Sequence, residues 1–401
     1  MKRLAALMLL VAAPAFAADL YVSPQGKDTN AGGKEAPFLT IQAAVNAAKA
    51  GDNVLVGKGI YREKVTIDKS GQENQRIAVR AVPRRAAITE GFDIKGSYLT
   101  VEGFQITNMF VNRSDSGVEC KGNFNEILDN YIYDVRHYGL TATGQNHVAR
   151  NKIYKVSQGI VAAGKKYVYE YNDVSRIYNF DELDGDYARF FGEDAVWRGN
   201  IFHGNLPSER HGHPDGWQTF DSNGDYVHNI VFERNIVGDT TAGGMLQSWY
   251  GRKSSGLIFR NNVFYNLGQG LSAGTIPNIT VINNVFYNIH GSCGGGGEGS
   301  IQKNNIYVNC RGAEGTDYNL FVNVPTRPKS KTGQGNLADK DPLFVDPDKL
   351  DFRLKPGSPA IDAGDPATPV PAGGGKRIDM GAYESGVDES GPPVPAAPKR
   401  P

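Results

Sequence analysis

Eight asparagines recur in step through the middle of the chain, each opening a short apolar or aromatic run. They are Asn130 (NYIYD), Asn151 (NKIYK), Asn172 (NDVSR), Asn200 (NIFHG), Asn235 (NIVGD), Asn262 (NVFYN), Asn284 (NVFYN) and Asn305 (NIYVN). The intervals are 21, 21, 28, 35, 27, 22 and 21 residues. A unit this short cannot bury a core alone and must stack on its neighbours. Helical repeats need amphipathic stretches that these units lack, and a propeller blade needs about 40 or more residues. What the units hold is short alternating strands between turn residues, in a chain with 49 glycines and 21 prolines. The physical solution is an all-β fold, a right-handed parallel β-helix of about ten coils with three short strands per coil. Asparagine at one fixed turn tolerates left-handed backbone. Its amide can also bond to the same residue one coil on, at the inter-strand spacing of about 4.8 Å.

The two ends read differently. Lys2 and Arg3 precede an apolar run from Leu4 to Ala13 and the small-x-small triplet Ala15-Phe16-Ala17. This is the layout of a cleaved secretory signal over residues 1–17, with an apolar run too short to span a bilayer. A secreted or periplasmic protein without membrane insertion is expected. Loss of Lys2 and Arg3 leaves 41 basic against 43 acidic residues, a balance that exerts no long-range pull on nucleic acid or anionic lipid. Thr40 is placed to cap a helix from Ile41 to Lys49, with Ile41, Ala44, Val45 and Ala48 at helical spacing and Gly51 beyond its end. Such a helix would cover the bare edge of the first coil. The β-helix, with this cap and a C-terminal covering segment, is assigned to residues 18–385. The Pro-rich residues 386–401 are assigned to a disordered tail. Three cysteines are too few for a disulfide scaffold. Cys120 is expected inside, Cys293 and Cys310 are left open as a pair, and a monomer is expected.

The intervals of 28, 35 and 27 carry roughly 7, 14 and 6 residues beyond a 21-residue coil. The additions are read as entering one turn, before Asp186, Asp215 and Gly244. Insertions in repeat arrays collect on one face, often the binding face. The stretch from Asp181 to Phe220 contains His203, His211, His213, Trp197, Trp217 and repeated carboxylates. Aligned on a glycine position, the strands begin at Gly139, Gly159, Tyr187, Gly216, Gly244 and Gly270. Alternation then turns the next residue inward and the following one outward. Trp217 falls inside, whereas Arg189, Gln218 and Leu246 fall outside. Asp186 and Asp215 sit just before adjacent strands, on the order of 5 Å apart. Two carboxylates that close need a cation, a shared proton or a cationic side chain. Calcium held by Asp184, Asp186 and Asp215, a retaining glycosidase pair and a salt bridge to Arg189 all satisfy this. A turn-capping aspartate on each coil is the bland alternative.

The opening YVSPQGKDTNAGGKEAPFLTIQAAV and the closing DFRLKPGSPAIDAGDP with DMGAYE resemble segments of the secreted pectate-lyase-like β-helix proteins, over roughly residues 19 to 385. Within that group, the family-nine polysaccharide lyases carry Asp-Gly on one coil and Asp-Asp-Gly-Trp-Asp on the next. Asp186-Tyr187 and Pro214-Asp215-Gly216-Trp217-Gln218 are similar to these, with Pro214 and Gln218 replacing two of the family's calcium-binding aspartates. The resemblance places the family's base lysine where Leu246 stands. Its calcium-dependent mechanism therefore does not carry over whole.

This chain instead supplies Arg189, His211, His213 and the cations Lys165, Lys166, Arg252 and Lys253. A β-eliminating lyase needs a cation on the uronate carboxylate, a base for the C5 proton and an acid for the leaving oxygen. Arg189 suits the first role, His211 or His213 the second, and Tyr187 or Tyr250 the third. Aromatic and polar groups for a sugar are Tyr187, Gln218, Phe220, Trp249 and Tyr250, with Lys165, Arg252 and Lys253 for its charge. An acidic polysaccharide is the expected partner, and a lyase or a uronan C5-epimerase the expected activity. A glycoside hydrolase using Asp186 and Asp215 and a non-catalytic polysaccharide-binding protein are the alternatives.

Overall fold

The computed structural model describes residues 17–108, 116–178, 185–205, 213–221, 225–248, 254–274, 276–312, 316–325 and 333–387. Most of the expected signal and residues 388–401 of the expected tail lie outside them. The described chain winds through three faces of parallel strands. The first face is a twelve-stranded parallel sheet from Asp19–Val22 to Ile301–Lys303. It is longer than the asparagine repeat suggested, because strands such as Asn53–Val56 and Ile77–Ala81 precede the first repeated asparagine.

Coil-to-coil register puts like residues above one another, and their inward side chains form continuous stacks. Tyr169, Trp197, Phe232 and Phe259 are successive register partners on the first face. Their rings lie 4.6 Å apart for Tyr169–Trp197 and 4.5 Å for Phe232–Phe259. On the second face Phe264, Phe286, Tyr307 and Phe321 stack at 4.8, 5.0 and 5.3 Å. Each such contact adds about 0.5–1.5 kcal/mol to the area the rings bury.

The repeated asparagines form the expected ladder, buried at the turn between the first and second faces. From Asn151 on, the Oδ1 of each accepts both the backbone N–H and the Nδ2–H of the asparagine one coil earlier, at 2.8–3.1 Å, and Asn130 Oδ1 accepts the Phe104 N–H. Asn319 extends the series. The left-handed backbone falls one residue earlier than expected, on Asp129, Arg150, Tyr171, Gly199, Arg234, Asn261, Asn283 and Asn304. The ladder amide must point along the stack, so the preceding residue turns the chain. A second left-handed column four residues after the ladder ends in Asn288, Asn309 and Asn323. Their exposed amides link at 2.8 and 3.0 Å.

The N-terminal helix spans Ile41–Ala47 and stops two residues early, because Ala48 is already extended. Thr40 Oγ1 accepts the Ala43 N–H at 3.1 Å, and Ile41, Ala44, Val45 and Ala48 are buried. Glu63 accepts the Ile41 and Gln42 N–H groups at 2.8 and 3.0 Å, satisfying donors that a helix leaves open. At the other end an antiparallel hairpin, Phe344–Asp346 with Asp351–Leu354, leads a segment that packs on the outer side of the second face. Phe352 and Met380 join Val263, Val285, Ile306 and Leu320 in one cluster. The left-handed Asn261 and Asn283 donate to the Ala382 and Asp379 carbonyls at 3.1 and 2.8 Å. Cys120, Cys293 and Cys310 are all buried free thiols, so Cys293 and Cys310 form no disulfide. Among the described residues, no helix is long and apolar enough to cross a membrane.

Candidate active site on the third face

The third-face strand Ala188–Phe190 pairs with Ile160–Ala162 on one coil and with Asp215–Phe220 on the next. The latter pairs onward with Ala242–Gln247, and that with Gln269–Ser272. Two columns follow from this register. Gln158, Asp186, Asp215 and Ala242 form one, and Val161, Arg189, Gln218, Met245 and Ser272 the other.

The Gly244 coil differs from the expected register by one residue, whereas the Gly270 coil keeps it, with Leu271 inward and Ser272 outward. A Cβ on Gly216 would lie 2.6 Å from the Gly243 carbonyl oxygen, and one on Gly243 would lie 2.8 Å from that of Gly270. The glycine column therefore runs through Gly243 and not Gly244. Met245 faces outward, and Leu246 is buried in the core.

The additions also divide. Asn172 to Tyr187 and Asn200 to Gly216 are 15 and 16 residues, whereas Asn235 to Gly243 is 8, equal to Asn151 to Gly159. Only the first two coils thus gain residues before the strand. Gly216 to Asn235 and Gly243 to Asn262 are both 19 residues against 13 for Gly159 to Asn172, so the second coil gains residues on both sides of its strand and the third only after it.

Asp186 is fully buried and, among the described residues, receives these three donors. Arg189 Nε lies 2.7 Å and Gln158 Nε2 3.2 Å from its Oδ2, and the Asp215 N–H lies 3.1 Å from its Oδ1. The salt bridge to Arg189, one of the three solutions for the close carboxylates, is present. Asp215 is also fully buried, with His213 Nδ1 3.8 Å from its Oδ2. The His213 side chain is 55% exposed and that of Arg189 20%. Gln218 stands beside Arg189 but is only 5% exposed. Phe220 packs edge-on against Phe191, with centroids 5.1 Å apart.

Other candidates lie elsewhere. Tyr187 faces inward, stacks on Phe202 at 5.8 Å and donates to Asn205 Oδ1 at 3.0 Å. It can neither meet a sugar nor protonate a leaving group. Both Tyr187 and Ala188 belong to the core, because the chain bends as it enters the face and strict alternation fails there. Lys165 sits on the turn beyond the strand, 2.5 Å from Glu193 Oε1. The Lys165 ammonium and the Tyr226 hydroxyl both hold Glu193 below its ordinary range. His203 contacts Asp173 at 3.0 Å on the second face. Asp184, His211, Trp249, Tyr250, Arg252 and Lys253 lie outside the described residues.

Gln158 is the neighbour that the sequence reading missed. It precedes Gly159 as Asp215 precedes Gly216, so the same register carried one coil back would have found it. Asp221 was also missed; it is buried and accepts from Ser248 Oγ at 2.7 Å.

Calcium takes about six to eight oxygen ligands. Here Asp186 is occupied by N–H donors, one of them cationic, and no three His, Cys, Asp or Glu side chains among the described residues could hold a metal ion. Pro214 and Gln218 contribute no carboxylate. The described part of this donor set does not fit calcium, and Asp184, the third carboxylate of the expected set, lies outside it.

Residues 20–256, more than half of the chain, match the family model described as "Pel9A-like, right handed beta helix region". Pectate lyase PEL9 of Emericella nidulans is 37% identical over 83 residues, 20% of either chain. Pectate disaccharide-lyase of Dickeya chrysanthemi is 23% identical over 270 residues, 67% of this chain and 33% of that protein. The chain thus spans a third or less of these relatives. The crystal structure of pectate lyase Pel9A superposes with a TM-score of 0.53 at 19% identity, covering 92% of this chain and 97% of that one. The chain belongs to the Pel9A-like right-handed β-helix family.

Proposed function

We propose that the protein is a secreted or periplasmic polysaccharide lyase that cleaves an acidic polysaccharide by β-elimination on the third face. The observation that carries this reading is the Asp186–Arg189 ion pair beside the Asp215–His213 pair on adjacent coils, inside the Pel9A-like region. Arg189, anchored by Asp186, presents positive charge at a partly open position. A uronate carboxylate placed there has its C5–H acidified, because the cation stabilises the charge that develops on proton loss. His213 takes that proton, and Asp215 offsets the charge of the imidazolium. The electron pair left on C5 forms the C4–C5 double bond as the C4–O bond breaks. The departing oxygen takes a proton from solvent or from Tyr250. No step runs through calcium. A hydrolytic carboxylate pair fits less well, because a carboxylate bonded to a guanidinium is a poor proton donor.

The test is the ultraviolet absorbance of the unsaturated uronate end, followed on polygalacturonate and alginate with and without calcium. The expected result is product formation that His213→Ala and Arg189→Lys abolish while both variants keep their circular dichroism. New reducing ends without that absorbance would refute elimination in favour of hydrolysis. Altered uronate composition without cleavage would mark a C5-epimerase.

A further inference from the structure

On another edge of the solenoid, at the turn between the first and second faces, lies a groove of about 510 Å³. Its walls carry Arg84, Arg85, Arg150 and Lys152 against two carboxylates, Asp129 and Asp173. The whole chain has a formal net charge of zero, so this local excess is a feature of the groove. Asp129 is nearly buried and accepts from both Arg84 and Arg150, the latter through Nε and Nη2 at 3.0 and 2.9 Å. Two guanidinium groups thus share one carboxylate, which fixes their position and leaves positive charge at the opening. The Arg84 and Arg150 side chains are about half exposed, as is Lys152, 3.9 Å from Asp173.

Tyr171 supplies the second component. Its ring rests on Gly199, where a Cβ would come within 2.7 Å of the ring, and the residue is 47% exposed. Asp129, Arg150, Tyr171 and Gly199 occupy the left-handed column in which Asn261 and Asn283 bind the C-terminal segment several coils on. At the groove that column carries charge and an aromatic ring instead.

We infer that this groove is a second, non-catalytic binding site for a carboxylate-bearing oligosaccharide. The cations take the sugar carboxylates, and the Tyr171 ring takes the apolar face of a pyranose. The choice of uronate as the anion rests on the proposed function.

Native electrophoresis through gels containing polygalacturonate, alginate, neutral dextran or single-stranded DNA tests this, in a His213→Ala background. At least one uronan is expected to retard the protein, and dextran is not. Arg84→Ala/Lys152→Ala and Tyr171→Ala should each weaken the retardation, by roughly tenfold in apparent affinity for the double variant. Tyr171→Phe should retain it, because the platform is the ring. The proposal is overturned by retardation unchanged in these variants, by none with either uronan, or by equal retardation with DNA. Ultraviolet product formation by the protein with His213 intact is read separately. Retardation that depends on the groove without elimination would remove the catalytic reading alone, and elimination without retardation would remove the groove alone.

Discussion

Removing Arg189 should destabilise the protein through Asp186 more than through any contact of its own. The Asp186 carboxylate is fully buried, in register with a second fully buried carboxylate, Asp215. Among the described residues Arg189 Nε at 2.7 Å supplies its cation, whereas Gln158 Nε2 and the Asp215 N–H are neutral donors. Breaking a buried ion pair from one side costs about 3–5 kcal/mol, because the other charge is stranded. Arg189 is 20% exposed, so some solvent screening places Arg189→Ala at the lower end, at about 3 kcal/mol. Replacing both partners by neutral groups of similar shape, as in Asp186→Asn/Arg189→Met, removes the stranded charge and should recover most of that loss. Urea unfolding followed by circular dichroism measures both, and the double-mutant cycle isolates the pair. Elimination activity should be absent from both variants, so stability returns without function. An Arg189→Ala variant within about 1 kcal/mol of wild type would refute the buried-pair reasoning, as would a double variant no more stable than the single one.

Asn200→Ala should cost roughly 3 kcal/mol or more. It strands the Asn172 N–H, takes a donor from the Tyr169 carbonyl and removes one of the two donors to Asn235 Oδ1 inside the ladder. Asn309→Gly on the exposed ladder, which keeps the left-handed backbone, should cost a few tenths, and urea midpoints compare the two. Burial pushes the Glu233 carboxyl up, but hydrogen bonds from Arg198 and Arg260 outweigh it and hold the pKa below the usual 4.5. Its contribution is therefore present above the ordinary value and lost as pH falls through the lowered one. The stability gap between wild type and Glu233→Gln should narrow on acidification through that window. Burial pushes the Cys120 thiol up to about 11. With all three cysteines buried and unpaired, a thiol reagent at neutral pH should react only after denaturant is added.

The asparagine ladder was legible because one residue type does one job at one position of every coil. Inward and outward assignment was legible as far as Gln218, where glycine, tryptophan and polar residues contrast. It failed at Gly243-Gly244-Met245-Leu246, because two adjacent glycines and two adjacent apolar residues satisfy either register. Interval lengths count added residues but do not say on which side of a strand they enter, so the third insertion was misplaced. Tyr187 was misread because alternation lapses at the corner. The pairing of Asp186 with Arg189 was visible only as one of three solutions, since three residues along a bending strand do not fix a side-chain contact.

The stack contains its own control for the candidate site. In the column Gln158–Asp186–Asp215–Ala242, structurally equivalent positions carry neutral residues on either side of the two aspartates. In the adjacent column Arg189 is the one charged residue from Thr141 to Ser272, and Glu119 and Asp93 follow only farther back along the stack. The fold therefore tolerates uncharged residues at this position one coil away in both directions. Burying a carboxylate there costs desolvation energy that a solenoid held by near-neighbour contacts need not incur. The charged ladder on the outside of the first face is different. Arg198 and Arg260 are about half exposed, their partners Glu170 and Glu233 are mostly covered, and the four recur over four coils, as expected of groups that only join rungs. Charge that is fully buried, confined to two coils and framed by inserted segments has no comparable structural reason to be there. That contrast is why we place the chemistry at Asp186, Arg189, His213 and Asp215.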